Sequence, residues 1–211
     1  MVTGDYVLTA MSTRNVVIQS PSRPAKEPDV LFQELKDDGV FPNSRLPLVL
    51  YRLAVRLAGK DPAAVFEQLF AANGWDGSWR NGIYPYHHYH STAHEVLGVY
   101  RGSAKVQLGG ERWVVHEVRP GDVVIIPAGV AHKNLRSSSD FGVVGAYPEG
   151  QNPDMNYGRP GERPKSDGNI RRVALPKADP LLGVAGPLME KWGMANHLNT
   201  NRRRLACPHN W

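Results

Sequence analysis

The stretch over residues 82–102 constrains the fold most strongly, because it gathers histidines and a carboxylate between two glycines. His88 and His90 are two residues apart, so on an extended strand their side chains leave the same face. Glu95 can join them from the next strand. Imidazole plus carboxylate is a ligand set suited to a divalent first-row metal. The spacing therefore predicts half of a metal site on two neighbouring strands.

Short segments rich in valine, isoleucine and tyrosine surround and follow this stretch. The pattern predicts strands over 83–90, 94–101, 103–108, 112–118, 122–126, 131–136 and 140–147. Glycine, proline and serine clusters separate several of these segments, as expected for turns. Short strands at such spacing are typical of an antiparallel sandwich or barrel. We therefore expect an all-β fold.

Residues 61–74 carry the clearest helix pattern in the chain. Asp61 is placed to cap the helix and Pro62 takes the first helical position, while Asn73-Gly74 provides a stop signal. The apolar stripe consists of Phe66, Leu69 and Phe70. Because this spacing is the usual signature of a buried helix face, we expect the helix to seal one side of the core and to bind no cofactor.

The length of 211 residues fits one domain with two tails. Residues 1–28 mix threonine, serine and proline and are predicted to form a flexible arm, and 193–211 a C-terminal tail. The single domain is expected over 29–192. Its outer parts are predicted to contain strands near Leu31 and over 46–51 that pack outside the barrel, a strand over 169–175 and a short helix over 187–192.

Charge and cysteine content exclude several functions. The formal net charge is +5, but Arg202, Arg203 and Arg204 in the tail account for three of those units. The body mixes both signs, so we expect no nucleic-acid partner. Cys207 is the single cysteine, which excludes an intrachain disulfide and a thiolate metal site and favours a cytoplasmic protein. No membrane-spanning or signal-peptide pattern is predicted.

The second half of the metal site is expected within residues 121–134. Gly121 turns the chain, residues 123–126 read as a buried strand, and Pro-Ala-Gly over 127–129 makes a tight turn. His132 opens the next strand. This hairpin can deliver a third imidazole to the pair already placed.

Together the two stretches resemble the cupin family. Its first motif, Gly-x5-His-x-His-x3–4-Glu-x6-Gly, is matched by Gly82, His88, His90, Glu95 and Gly102. The second, Gly-x5-Pro-x-Gly-x2-His-x3-Asn, is matched by Gly121, Pro127, Gly129 and His132, whereas Asn134 follows His132 after one residue instead of three. The even offset keeps Asn134 on the face that carries His132, and its role stays open. The amino-acid sequence of roughly residues 31–192 is similar to those of a bacterial and fungal subgroup, the YjlB-like cupins.

The resemblance implies a double-stranded β-helix, or jelly-roll barrel, with one or two peripheral helices. It also implies that His88, His90, Glu95 and His132 hold one divalent metal ion, for which Fe, Mn, Ni, Zn and Cu all remain open. Four ligands leave one or two positions of an octahedral ion for water or a ligand. No catalytic residue is assigned.

Four neighbouring side chains have less specific predicted roles. By strand alternation His87 points away from His88, and His94 away from Glu95, so both are expected on the outer face or at a subunit contact. By the same alternation, Tyr84 and Tyr86 are expected to point inward, to the same side as His88. They are predicted either to line the pocket or to pack in the core.

Two classes of function stay open. One is a metalloenzyme acting on a small oxygen-rich or carboxylate-bearing molecule, by dioxygenase or by isomerase chemistry. The other is a metal- or ligand-binding or structural protein without turnover, since fold does not determine function. A transcription regulator is disfavoured because no helix-turn-helix stretch is evident. We expect a small-molecule partner, no membrane contact and a homodimer.

Overall fold

The computed structural model describes residues 29–195. The strands are β1 (Asp29–Leu35), β2 (Ser44–Arg52), β3 (Trp75–Asn81), β4 (Glu95–Arg101), β5 (Ala104–Leu108), β6 (Val114–Val118), β7 (Val123–Ile126), β8 (His132–Ser137) and β9 (Gly142–Pro148). The helices are α1 (Pro62–Ala72), α2 (Lys165–Ile170) and a helical segment over 187–195. The predicted arm over 1–28 lies outside the described residues. So does the predicted tail, except for residues 193–195, which are helical.

Two antiparallel sheets form the body of the domain. The larger has six strands in the order β1-β2-β7-β4-β9-β3, and the smaller has three in the order β6-β5-β8. Leu97 of the larger sheet and Val106 of the smaller belong to one buried cluster, so the sheets enclose a common interior. The predicted all-β jelly-roll fold is confirmed.

Strand β7 shows why the larger sheet reads as continuously apolar. Val124 and Ile126 join the interior cluster between the sheets, whereas Val123 and Ile125 join a second cluster on the opposite face. That second cluster includes Phe66 of α1 and Trp192 of the helical segment 187–195. A strand covered on both faces needs apolar residues at every position.

The predicted helix is confirmed and lies on the outer face of the larger sheet. The Asp61 side chain accepts a hydrogen bond from the Ala64 backbone N–H at 3.4 Å, and Pro62 begins the helix. Phe66 and Phe70 are buried, and Leu69 is half-buried. Gly98 of β4 lies beneath Phe66, where a Cβ would be 2.4 Å from the ring. The absence of a side chain at this position lets the helix approach the sheet closely.

The edges of the larger sheet differ from the prediction. The strands expected to pack outside the barrel instead extend the sheet, because β2 pairs with β7 and β1 pairs with β2. Strand β3 was not predicted. It pairs with β9 alone, and its Asp-Gly-Ser-Trp-Arg sequence has low β propensity, which an edge position tolerates because neighbouring backbone supplies the pairing.

Two predictions for the C-terminal part have different outcomes. The strand over 169–175 is wrong, since α2 covers Lys165–Ile170 and residues 171–175 have no strand partner among those described. Local backbone bonds, such as Val173 N–H to the Asn169 carbonyl at 3.2 Å, replace sheet pairing there. The helix over 187–192 is confirmed and extends to residue 195. Within 29–195, no helix has the length and apolar character needed to cross a membrane.

Replacing Gly98 with Ala is expected to lower the free energy of unfolding by about 1–3 kcal/mol, because the added methyl overlaps the Phe66 ring in a close-packed layer. Equilibrium urea unfolding measures the change. Gly193→Ala is the matched control, since the residue is helical. Among the described residues, nothing beyond its chain neighbours and its own helix backbone lies within 4 Å of a Cβ built there. Its stability should stay unchanged or rise by up to about 1 kcal/mol. Equal losses in both variants would contradict the packing account.

Candidate metal centre

Residues 83–90 run beside β8 as an irregular segment, and the prediction of a strand there is wrong. The Asn134 N–H donates to the Tyr84 carbonyl at 2.9 Å, while His88 and His132 exchange two backbone bonds of 3.2 and 3.0 Å. Three residues on this segment therefore face a single residue on β8. Pro85 lies in the unpaired part and has no N–H to donate, which accounts for the interruption.

A tight turn fixes the second histidine of the pair. The Gly129 N–H donates to the His90 carbonyl at 2.8 Å, and the Val130 N–H closes the turn on the Pro127 carbonyl at 3.1 Å. Gly129 has a φ of 95°, and a Cβ there would lie 2.3 Å from the Asn43 carbonyl oxygen. Only glycine fits this approach. His132 begins β8 directly after the turn.

The three histidines present the same ring edge to a common point. His88 Nδ1 lies 3.3 Å from the Tyr86 carbonyl, His132 Nδ1 lies 3.3 Å from the Val130 carbonyl, and His90 Nδ1 donates to the Asp154 carbonyl. A backbone carbonyl at Nδ1 selects the tautomer with its proton there and leaves Nε2 as a lone-pair donor. One ring nitrogen of each histidine lies within 4.8 Å of the others. All three are buried, so this is a possible metal site.

Glu95, at the start of β4, lies beside two of these histidines, His90 and His132. Its side chain points to the inner face of the sheet, as that of Leu97 does, and the residue is 2% exposed. Its Oε1 lies 3.6 Å from His90 Nε2, and its Oε2 lies 3.2 Å from His132 Nε2. Oε2 has no well-oriented hydrogen-bond partner among the described residues. A buried carboxylate oxygen left in this state, facing imidazole lone pairs, fits a cation.

The protonation preferences of these groups are strongly coupled. Burial, together with the neighbouring His132, lowers the pKa of His88 to about 3. Burial also opposes a charge on His90, but the Glu95 carboxylate outweighs it and raises the pKa of His90. For Glu95, His90 and His132 outweigh burial and lower the pKa. A divalent ion at this point would favour neutral imidazoles and an ionised carboxylate, so protonation and metal binding would compete here.

A cavity of about 310 Å³ opens above this cluster. Besides the four residues it is lined by Trp79, Arg80, Asn81, Gly82, Ile83, Tyr84, Leu97, Tyr147 and Met155. Trp79 Nε1 donates to the Tyr147 hydroxyl at 2.9 Å. Burial and the nearby Glu95 charge raise the pKa of Tyr147, so the hydroxyl keeps its proton.

Trp79, Tyr147 and Met155 were missed by reasoning from the sequence. Trp79 lies on the unpredicted edge strand β3, and Met155 lies in the irregular segment after β9. Alternation along β9 was the one available signal for Tyr147. It could not show that the residue meets the histidines, because that meeting depends on how β9 is placed in the sheet.

The structure separates His87 and His94 from the cluster, but neither is exposed. The His87 side chain is 7% exposed, and its ring lies 5.1 Å from that of Phe41. His94 points away from Glu95 and is 2% exposed beneath Trp192, with the rings 4.7 Å apart. Its Nδ1 accepts the Ala128 N–H at 2.9 Å, so it supports the turn before His132. His94 thus lies on the outer face of the sheet, as expected, but it is buried because the helical segment 187–195 covers it.

The remaining neighbours have structural or rim positions. Tyr84 and Tyr86 are each 44% exposed, which excludes core packing, and Tyr84 lines the cavity. Asn134 does not line it. Its side chain donates to Ser137 Oγ at 3.0 Å, and its backbone N–H holds Tyr84.

Comparisons with known proteins agree with this arrangement. A family model described as a cupin domain matches residues 80–141. A protein of Bacillus subtilis (strain 168), the uncharacterized protein YjlB, is 45% identical over 157 residues, which cover 74% of this chain and 92% of that protein.

Solved structures are more distant. The 11S allergen of Cocos nucifera L. is 21% identical, with a TM-score of 0.33 over 44% of this chain and 31% of that one. The dTDP-4-dehydrorhamnose 3,5-epimerase of Bacillus anthracis str. Ames is 13% identical, with a TM-score of 0.34 over 57% of this chain and 78% of that one. The chain spans a third or less of the first 11S proteins it matches. We take nothing about function from these partial superpositions.

Asp154→Asn tests the carboxylate that accepts from Ser91 and anchors the segment whose backbone carbonyl contacts His90. Burial raises the pKa of the Asp154 carboxyl, but hydrogen bonds from the Ser91 side chain and other donors outweigh it and hold the pKa below its usual 3.8. The carboxylate therefore stabilises the fold above that unfolded-state value, and the contribution is lost as the pH falls through the folded pKa. We expect the variant to lose about 1 kcal/mol at pH 7. Urea unfolding at several pH values should show this difference shrinking below about pH 4.

The exposed Asp76 of β3 provides the control for this measurement. Asp76→Asn should leave stability within about 0.5 kcal/mol at every pH. A pH-independent loss for the Asp154 variant would contradict the account.

Proposed function

Because the chain belongs to the cupin superfamily, within its YjlB-like group, we propose that it is a metalloprotein with a single cupin domain over residues 29–192. In this proposal His88, His90, Glu95 and His132 hold one divalent ion. The ligand is a small oxygen-rich or carboxylate-bearing molecule. The proposal extends what the three buried histidines and the family membership establish.

The single observation that carries the proposal is the cluster of three buried histidines, whose ring nitrogens lie within 4.8 Å of one another, beside the Glu95 carboxylate. Glu95 Oε2 has no hydrogen-bond partner among the described residues. Three neutral imidazoles and one carboxylate place one negative charge around the ion. This set accepts Fe, Mn, Ni, Zn or Cu, so the ion is identified by measurement and not by its ligands. The single cysteine, Cys207, makes a thiolate cluster impossible within one chain.

A bound ion would supply Lewis-acid polarisation of a ligand oxygen and, if it were iron, oxygen activation. The residues of the chain supply position and shielding. The carbonyls at the three Nδ1 atoms hold the imidazoles in one orientation, and the two sheets exclude water from beneath them. The Tyr147 hydroxyl stays protonated at the cavity wall, where it can donate a hydrogen bond to a bound ligand.

Dioxygenase-type and isomerase-type chemistry both use such a centre, and we retain both. The cavity of about 310 Å³ favours a protein that takes a ligand over one with a purely structural ion. A metal- or ligand-binding protein without turnover is the second proposal. It is favoured by the lining residues, which, in the part of the chain that is described, include no acid–base pair besides the histidine–Glu95 cluster.

We also propose a homodimer in a reducing compartment. Within the described domain the edges of β1, β3 and β6 have no strand partner, and the edge of β8 is paired only by the backbone bonds of residues 84 and 88. Exposed apolar residues such as Val115 of β6 and Leu135 of β8 accompany two of them. Such edges and side chains favour association between copies.

Replacing His90 or Glu95 with Ala is expected to weaken metal binding at least about tenfold, because each removes one of four donors. Metal content of protein purified without an affinity tag, determined by elemental analysis, is the measurement. Circular dichroism distinguishes loss of metal from loss of fold. Oxygen uptake by the metal-loaded protein during metabolite screening then separates the two proposals, since a redox-inactive metal would count against dioxygenase chemistry.

His87→Ala is the matched control, because His87 is a neighbouring buried histidine whose ring packs on Phe41 instead of facing the cavity. Its metal content should equal that of the wild type. A His87 variant that loses metal while the His90 variant keeps it would show that the ligands are wrongly assigned.

A further inference from the structure

One wall of the cavity above the metal centre is flat, aromatic and rigid. The Trp79 ring lies against Gly145 of β9, where a Cβ would be 2.2 Å from the indole atoms. Its Nε1 donates to the Tyr147 hydroxyl, so the two rings hold each other in place. Ile83 and Leu97 add buried apolar surface to the same cavity. The wall is thus formed before any ligand arrives, and it suits a flat apolar group.

The mouth of the cavity continues this character toward solvent. Tyr84 and Met155 line the cavity and are 44% and 41% exposed. Tyr86, also 44% exposed, stacks on Tyr84 with the ring centroids 5.0 Å apart and the planes at 13°. Large apolar side chains exposed together at the entrance to a cavity are typical of a binding site.

The charges at the rim disfavour a ligand that carries an anionic group in addition to the one at the ion. Among the described residues that line the cavity, Arg80 is the one cation apart from the histidines. It gives four hydrogen bonds to Asp61 and Glu67, two to each. This group of one guanidinium and two carboxylates has a net charge of −1. A carboxylate or phosphate away from the ion would therefore meet no available positive partner on the wall.

From these observations we infer that the cavity takes a flat, mostly apolar ligand with two adjacent oxygen donors at one end and no second anionic group. The inference rests on the proposed metal centre. Four protein donors leave two positions of a six-coordinate ion, which two adjacent oxygens can fill together. The oxygens then face the histidines while the body of the ligand lies against Trp79 and reaches Met155.

Maltol, a flat chelator with a single anionic oxygen, is the test ligand, added to tag-free protein reconstituted with Ni²⁺. Isothermal titration calorimetry should show binding, and 2,6-dimethyl-4-pyrone, which lacks the chelating hydroxyl, should not bind. Oxalate chelates but has no apolar body. We expect Trp79→Ala and Met155→Ala each to weaken maltol about fivefold or more and to leave oxalate within about twofold. 2-Phosphoglycolate should bind more weakly than oxalate.

Val115→Ala is the matched control, since Val115 is an exposed residue of β6 that does not line the cavity. Its affinity for both chelators should stay unchanged. Met155 is exposed, so its variant keeps the test valid if Trp79→Ala fails to fold. Equal effects of the wall variants on maltol and oxalate, or tighter binding of 2-phosphoglycolate, would overturn the inference with the metal centre intact. Protein that takes up no Ni²⁺ would overturn the proposed function and this inference together.

Discussion

The paired backbone hydrogen bonds between His88 and His132 are the constraint on which the site depends. They attach an irregular segment to the free edge of β8 and bring two imidazoles to a ring separation of 4.0 Å. Burying these two imidazoles costs free energy, because their ring nitrogens leave water. The backbone bonds hold them there because they are independent of the side chains. A regular strand was not needed for two ligands to share a face.

Coverage of the larger sheet on both faces explains how the site is supported. Its inner face carries Glu95 and Leu97, and its outer face packs against α1 and the helical segment 187–195. His94 is part of this outer packing, and its Nδ1 accepts the Ala128 N–H of the turn before His132. The helices therefore contribute to the position of the third histidine, although none of their residues reaches the cavity. Burial lowers the pKa of His94 to about 3, so it remains neutral there.

The distribution of charge separates the floor of the cavity from its walls. At the floor, Glu95 and three histidines form a set with one negative charge that suits a divalent ion. On the walls, Trp79 and Tyr147 are committed to each other, and the guanidinium of Arg80 is occupied by two carboxylates. In the complex proposed above, affinity for a ligand would come from the ion at one end and from apolar contact along the rest. Such a cavity would discriminate by shape and by oxygen placement more than by long-range charge.

The sequence by itself determined the fold class, the helix α1 and the set of candidate ligands. These follow from local rules: apolar periodicity, capping residues, and the spacing of histidines, glutamate and glycines in two motifs. The same rules failed at β3 and over 83–90. In the first case an edge strand gains its pairing from β9 in spite of poor propensity, and in the second Pro85 interrupts a strand that alternation alone would allow.

Only the tertiary structure decided what surrounds the ligands. Trp79 and Tyr147 are 68 residues apart and meet because β3 pairs with β9, and the burial of His94 depends on a helix nearly one hundred residues later. Alternation gives the direction of a side chain relative to its own strand, but not what covers that face. The candidate metal ligands were visible in the sequence because metal chemistry restricts residue types and spacing. The cavity walls were not, because any apolar residue brought there by long-range pairing can form them.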